Sequence, residues 1–414
     1  MQRYPESRDV RLNLFDYITT VPEGAFVSDG KIIPAWHCTN TRMRAAQKLL
    51  VALDSPVAAR FAAAASDGKV YFADRSDVPR MTAAYALGGS TAFIFERTDK
   101  DSASLVLVSG DKYFECVNGE VTYGDFEGRL RCGVIKNGRL FGISKSDPFV
   151  LCWSGEGGWN DWTKGLSGSG SMRLMPPCGE GLEVFACGGE LVVLCKKCIV
   201  RFSAGGNPED FKVEDIIPVP EVLENSACVI GDGLLFCTVF GLMRYGGGKV
   251  VRQEGAITEE MQSLTHSMAY DNRYYFACGT PKGSSEKKVY VYDTFKGLYQ
   301  TVDVSAYFLA RDTTSVLAYT SSYLFRITDG GTGSFSVEIP QFDFGISGRK
   351  LFKTLEMDCD DDVTVEIFDG RHTSRYALLP KRKKLNIRGE SFNIKISGKT
   401  GAVRSAYVTA EVPK

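Results

Sequence analysis

Along most of the chain, short apolar runs alternate with turns rich in Gly, Asn and Asp. The clearest stretch is 131–163, RCGVIKNGRLFGISKSDPFVLCWSGEGGWNDWT. Val134 and Ile135 lead into Asn137-Gly138, the dipeptide that a type I′ hairpin turn favours because both central residues need φ > 0. Leu140, Phe141 and Ile143 form the return strand, and Phe149 to Trp153 a third after Asp147-Pro148. A single such meander has a bare apolar face and is marginal in water, so the unit must recur. It does, at 61–74, 93–110, 132–144, 182–197, 227–239, 268–279 and 308–320. The first turn residues fall at 67, 100, 137, 188, 232, 271 and 312, and further strand pairs such as 111–124 and 241–253 fill the intervals. A period near 40 with about four short strands per unit predicts a β-propeller. The alternative, a series of β-sandwiches, does not require one hairpin to repeat at a steady spacing.

The pattern changes after Gly333. Seven segments between 335 and 412 alternate strictly, as in Val363-Val365-Ile367 and Phe392-Ile394-Ile396, which predicts strands with one buried and one wet face. The chain therefore reads as all-β: a propeller of six to seven blades over 1–333, then a small antiparallel β-sandwich over 334–414. A strand from 10–36 is expected to close the ring against the segment near 308–328. Two helices are expected, at 41–53 (TRMRAAQKLLVAL) and 257–267 (ITEEMQSLTHS); in the second, Thr258 would cap and Glu259-Glu260 suit the N-terminal dipole.

Composition changes little in this picture. The 414 residues are 44% hydrophobic and 24% charged, as in a globular protein, and 43 glycines suit many tight turns. A formal net charge of −1 gives no global field towards nucleic acid or membranes. The charged start MQRYPESRDVRLNLFDYI lacks the apolar core of a secretory signal, and no window approaches a membrane span. Most of the 12 cysteines sit in apolar runs and are expected to be reduced thiols in a cytoplasm.

The chemistry expected of the residues is sparse. His37, His266 and His372 are widely separated, and no HExxH, G-x-S-x-G elbow or phosphate loop is present. Cys195-Lys-Lys-Cys198 lacks the second ligand pair of a zinc site and reads as a tight turn between strands. Asp358, Asp360, Asp361 and Asp362 lack EF-hand spacing and read as a solvated hairpin tip. Lys381, Arg382, Lys383, Lys384 and Arg388 are the candidate contact for DNA or an acidic partner, or else a charged strand edge that discourages aggregation. Trp153, Trp159 and Trp162 either stack on sugars or seal packing between blades. No catalytic set, cofactor or metal is expected.

The string carried by Val134, Asn137, Gly138, Arg139, Leu140, Phe141, Pro148, Trp153, Ser154 and Trp162 resembles the blades of tail nozzle and tail-hub propeller proteins of tailed bacteriophages. So do Arg349-Lys350-Leu351-Phe352-Lys353-Thr354-Leu355 leading into 363–370, and the strand pair 182–202 before Asn207-Pro208-Glu209-Asp210-Phe211. The resemblance implies a non-catalytic virion protein assembled in the host cytoplasm. It would form a homo-oligomeric ring, often six-fold, beside other tail or adaptor proteins, with genomic DNA passing through the lumen without sequence-specific binding. The alternative reading is a carbohydrate-binding or glycan-degrading propeller.

Overall fold

The computed structural model describes residues 7–413 except 19–24, 29–30, 35, 45–48, 56–59, 66, 75–81, 87–91, 99–102, 157, 166–167, 176–177, 254–260, 312–314, 322, 330–333, 361, 379–381 and 400–401. Among the described residues there are strands and two 3-10 turns but no α-helix. Seven four-stranded antiparallel sheets follow one another along the chain. Their first strands are Leu49–Ser55, Ala92–Thr98, Val134–Lys136, Gly181–Cys187, Cys228–Ile230, Met261–Tyr270 and Phe308–Arg311. Except between blades four and five, these first strands meet their neighbours around the ring, and Phe308–Arg311 meets Leu49–Ser55. Blades four and five join through an apolar cluster containing Leu194, Ile199, Phe236 and Tyr245. The fold is a β-propeller of seven blades.

Each blade buries both faces, and apolar clusters fill the gaps. Ala62, Val70 and Phe72 of blade one meet Leu105, Leu107 and Phe114 of blade two. Phe141, Ile143 and Trp153 of blade three meet Val184, Val193 and Phe202 of blade four. This two-sided burial explains why the second strands read as unbroken apolar runs, such as Leu191–Cys195, rather than alternating ones.

The last sheet is completed by His37–Arg44, placed beside Tyr323–Thr328. Closure by an N-terminal strand was expected from 10–36; the closing strand lies at 37–44 instead. The strands before it belong elsewhere. Ser7–Asn13 pairs with Val403–Pro413, and Ala25–Ser28 and Lys31–Pro34 extend the same sheet. The sandwich is thus built from both ends of the chain, with the propeller spliced between them, so the expected boundary of 1–333 gives way to this split. Val10 and Leu12 alternate with Asp9 and Arg11, a period-two pattern that fits the one-sided sandwich sheet. The second sandwich sheet runs Phe335–Phe342, Phe392–Gly398, Val363–Phe368, Thr373–Leu378. Between the sheets lie Phe335, Phe352, Phe392, Ile394 and Val408, with Phe352 stacked on Phe392 at 3.9 Å. By compactness the chain divides into 1–39, 290–303 and 327–414 on one hand, and 40–289 with 304–326 on the other. Within the first unit, Trp36 is held by Gln300, whose side chain accepts from the Trp36 N–H (3.2 Å) and donates to its carbonyl (2.7 Å).

Neither expected helix forms. Residues 41–44 and 49–53 lie in two strands, His37–Arg44 and Leu49–Ser55, and 261–267 lie in Met261–Tyr270, the first strand of blade six; 45–48 and 257–260 are outside the described residues. Sheet pairing around the ring outweighs a helix propensity worth only tenths of a kcal/mol per residue.

Within the 131–163 stretch, Asn137 (φ 51°) and Gly138 (φ 76°) make the expected turn. The Asn137 side chain also donates to the Ala204 carbonyl at 3.1 Å, tying blade three to blade four. Arg139 is buried and donates to the Ser154 carbonyl at 2.8 Å, while Ser154 Oγ accepts from the Leu140 N–H at 2.9 Å. Gly142 lies where a Cβ would come within 2.1 Å of the Cys132 carbonyl oxygen. Gly142→Ala should therefore lower the urea midpoint by the equivalent of about 1–3 kcal/mol through overpacking against backbone. Gly205→Ala, in open space and without a positive φ, should be neutral or slightly stabilising in the same titration.

Candidate functional site in the propeller channel

The first strands of all seven blades converge on a cavity of about 470 Å³. Every blade contributes to its lining, among others through Leu53, Phe93 and Ile94, Cys132 and Gly133, Glu183 and Phe185, Cys228 and Val229, Thr265 and His266, and Phe308 and Leu309. Its size is that of a small-molecule site. A nucleic-acid duplex, whose major groove alone is about 12 Å wide, does not fit through it.

Four ionisable groups in this cavity are shifted, all chiefly by burial. Glu183 keeps a little contact with the channel but is enclosed by protein, and loss of hydration lifts its pKa from 4.5 to about 7. Arg131, donating to the Leu182 carbonyl at 3.5 Å, opposes that rise from nearby. His266 is held neutral, its pKa pushed down to about 3, although its ring donates to the Leu309 carbonyl. It stacks on Phe308 with centroids 3.7 Å apart. Cys132 is pushed up to about 12 and Cys228 upward as well, so both stay protonated. Both thiols feel the Glu183 charge, which places them around it. Thr265 Oγ1 is buried and has no hydrogen-bond partner among the described residues. At one side, Asp271 pairs with Arg311. A perturbed acid in an enclosed, partly aromatic cavity is the usual mark of a binding or reactive site.

The residues singled out in the sequence lie elsewhere, apart from His266. Lys381 falls outside the described residues. Arg382 pairs with Glu356 at 3.1 Å, a carboxylate that also takes Arg11 at 3.0 Å. Lys383, Lys384 and Arg388 are exposed on Lys383–Gly389, the edge strand of its sandwich sheet. Phe392, considered there for base stacking, is fully buried in the sandwich core. Arg404 pairs with Asp358 at 2.8 Å and also with Asp360, while Asp361 is outside the described residues. Cys195 and Cys198 flank a two-residue turn and are buried, with the Cys198 thiol donating to the Cys178 carbonyl at 3.5 Å. The described cysteines are all free thiols, and no cluster of three potential metal ligands occurs among the described residues. The His37 side chain is outside the described residues; His372 is exposed at a hairpin turn.

Trp153 and Trp159 are buried, and Trp162 is partly exposed. Trp159 packs edge-on against Phe95 (5.5 Å) and Tyr113 (4.9 Å), and Trp162 edge-on against Phe126 (5.8 Å). Trp153 meets Phe211 at 5.3 Å between blades three and four. Sequence reasoning missed Glu183 and Thr265. The usable signal was a lone carboxylate in a first strand, LEVFAC, where other copies carry apolar residues such as FIF and CVI.

No family model matches the chain, and no curated protein matches it. Similar solved structures include the WD40 beta-propeller domain of Doa1, at 15% identity and TM-score 0.45, covering 72% of this chain and 97% of that one. The beta-propeller domain of Myceliophteria thermophila Cps50 (Swd1) is similar at 10% identity and TM-score 0.48, covering 70% and 98%. No helix among the described residues is long and apolar enough to cross a membrane.

Glu183 gives this site a measurable consequence. Its proton is held more tightly in the folded state, so folding is progressively penalised as pH rises from about 4.5 to about 7 and evenly penalised above that. Across that window the urea midpoint of the wild type should fall relative to Glu183→Gln. The difference should be flat above pH 7, and parallel curves at every pH would reject the assignment.

Proposed function

We propose that the protein is a non-catalytic structural subunit of a bacteriophage virion, a tail nozzle, hub or head-tail connector component that assembles into a ring. The observation that carries this reading is where the signature residues sit. Asn137, Arg139, Leu140, Trp153 and Ser154 lock one blade together and join it to the next, and Trp159 and Trp162 pack inward. Residues that resemble the tail proteins thus serve rigidity rather than a reacting surface. The second resembling segment lies in Lys350–Cys359, an interior sandwich strand paired on both sides. The burial of Trp153 and Trp159 favours packing over sugar stacking for those two rings.

A rigid module with short, protected strand edges suits repetition about an axis. Because the channel of one propeller is too small for a duplex, the DNA passage in this reading lies between copies arranged in a ring. A weakly charged wall suits that task, since strong phosphate contacts would retard passage.

The test is assembly. The purified chain, alone and mixed with the adaptor protein of the same phage, should give closed rings by negative-stain electron microscopy and a discrete multiple of the 45.4 kDa chain by light scattering. Peptides of the chain should be present in purified particles. A strict monomer under both conditions, together with absence from particles, would sink the proposal.

A further inference from the structure

We propose that the propeller channel is a binding site for a small organic cation, an ammonium group whose counter-charge is the carboxylate of Glu183. This does not rest on the virion reading; either can fail without the other.

The argument begins with charge. Of the charged residues lining the cavity, Asp271 and Arg311 neutralise each other, leaving Glu183. Glu183 makes no ion pair or hydrogen bond among the described residues, and Arg131 acts on it only through space. The groups that face it besides Arg131 are the protonated thiols of Cys132 and Cys228, and neutral His266 lines the same cavity. A carboxyl largely enclosed by protein, open only to the channel and without a partner among the described residues, is a costly arrangement that calls for an explanation. A neutral ligand would leave it uncompensated, and an anion would meet charge of its own sign. A metal ion is disfavoured because no three ligating side chains gather there.

The rest of the cavity fits an organic cation. The unpartnered Thr265 hydroxyl can accept from an ammonium N–H. Phe93, Phe185 and Phe308 add aromatic carbon to the wall, against which the alkyl part of an organic cation can pack. The volume of about 470 Å³ suits a ligand of modest size. The ammonium could be a free amine or the side chain of a lysine in a peptide, since both present the same head.

Binding must also be linked to protons. An ammonium stabilises the ionised form of Glu183, so it displaces the proton which that group otherwise holds near neutrality. With a free-protein pKa of about 7, affinity should rise about tenfold between about pH 6 and about pH 8.

The experiment is titration calorimetry on the full chain with n-butylamine, choline, an acetylated lysine methylamide, neutral n-butanol and butyrate. Butylamine or choline should bind one to one, with proton release seen as a heat that depends on the buffer's ionisation enthalpy. Binding of the lysine amide over butylamine would assign the site to a peptide side chain, and the reverse to a free amine. Glu183→Gln should remove binding, and Thr265→Val should weaken it several-fold while keeping the pH dependence; circular dichroism and a urea titration establish that each variant is folded. Should Glu183→Gln fail to fold, the Thr265→Val series and the proton release in the wild type still decide. Equal binding of butanol or butyrate, amine binding that survives Glu183→Gln, or no binding of any cation at millimolar concentration would each overturn the proposal.

Discussion

A ring of sheets is stable only when it has no first or last member, and here that condition rests on one strand pair. Until His37–Arg44 lies beside Tyr323–Thr328, the seventh sheet has three strands and the ring has an open seam. The seam would expose Ala63, Ala65 and Tyr71 on one side and Phe308, Leu317 and Tyr319 on the other, residues that the closed ring buries together. Every other interface between blades can form from segments adjacent in sequence. This one alone requires the two ends of the propeller to find each other across the whole module. Such non-local pairing is entropically expensive and slow, so the closing strand governs when the propeller becomes cooperative.

The period of the propeller was legible because the hairpin from first to second strand recurs, and in four blades the described turn takes positive φ: at Asn137 and Gly138, Gly188 and Gly189, Gly231, and Asp271 and Asn272. Blade one was read out of phase. Its apparent copy at 61–74 is the second and third strands, while its first strand lies inside a run of Ala, Leu, Lys and Arg that suggests a helix. The long interval after position 137 also has a cause. Residues 154–169 form an extended connection in blade three, and its Trp159 folds back onto blade two. The split sandwich was not legible, because alternation within 7–34 states that one face is buried but not against which sheet.

The channel escaped the sequence for a different reason. A motif is readable when its residues are neighbours in the chain, and this cavity takes its lining from seven places dozens of residues apart. Around Glu183, its pieces are a thiol, a hydroxyl and an imidazole that look ordinary in their own strands. Only the ring brings Cys132, Glu183, Cys228 and Thr265 into one lining. The aromatic stretch that looked richest in chemistry is spent on packing, where edge-to-face contacts such as Trp159 on Tyr113 contribute about 0.5–1.5 kcal/mol beyond burial.

The pairing of Ser7–Asn13 with Val403–Pro413 sets how the molecule bears tension. The pairing is antiparallel and puts Ser7 opposite Pro413 and Asn13 opposite Tyr407. A pull applied through residues 7 and 413 would therefore open the pair like a zip, one rung at a time, instead of shearing all its hydrogen bonds together. The segments between these two strands in the chain would feel no load until the zip had run its length. The pair is a mechanical fuse in line with the rest of the chain.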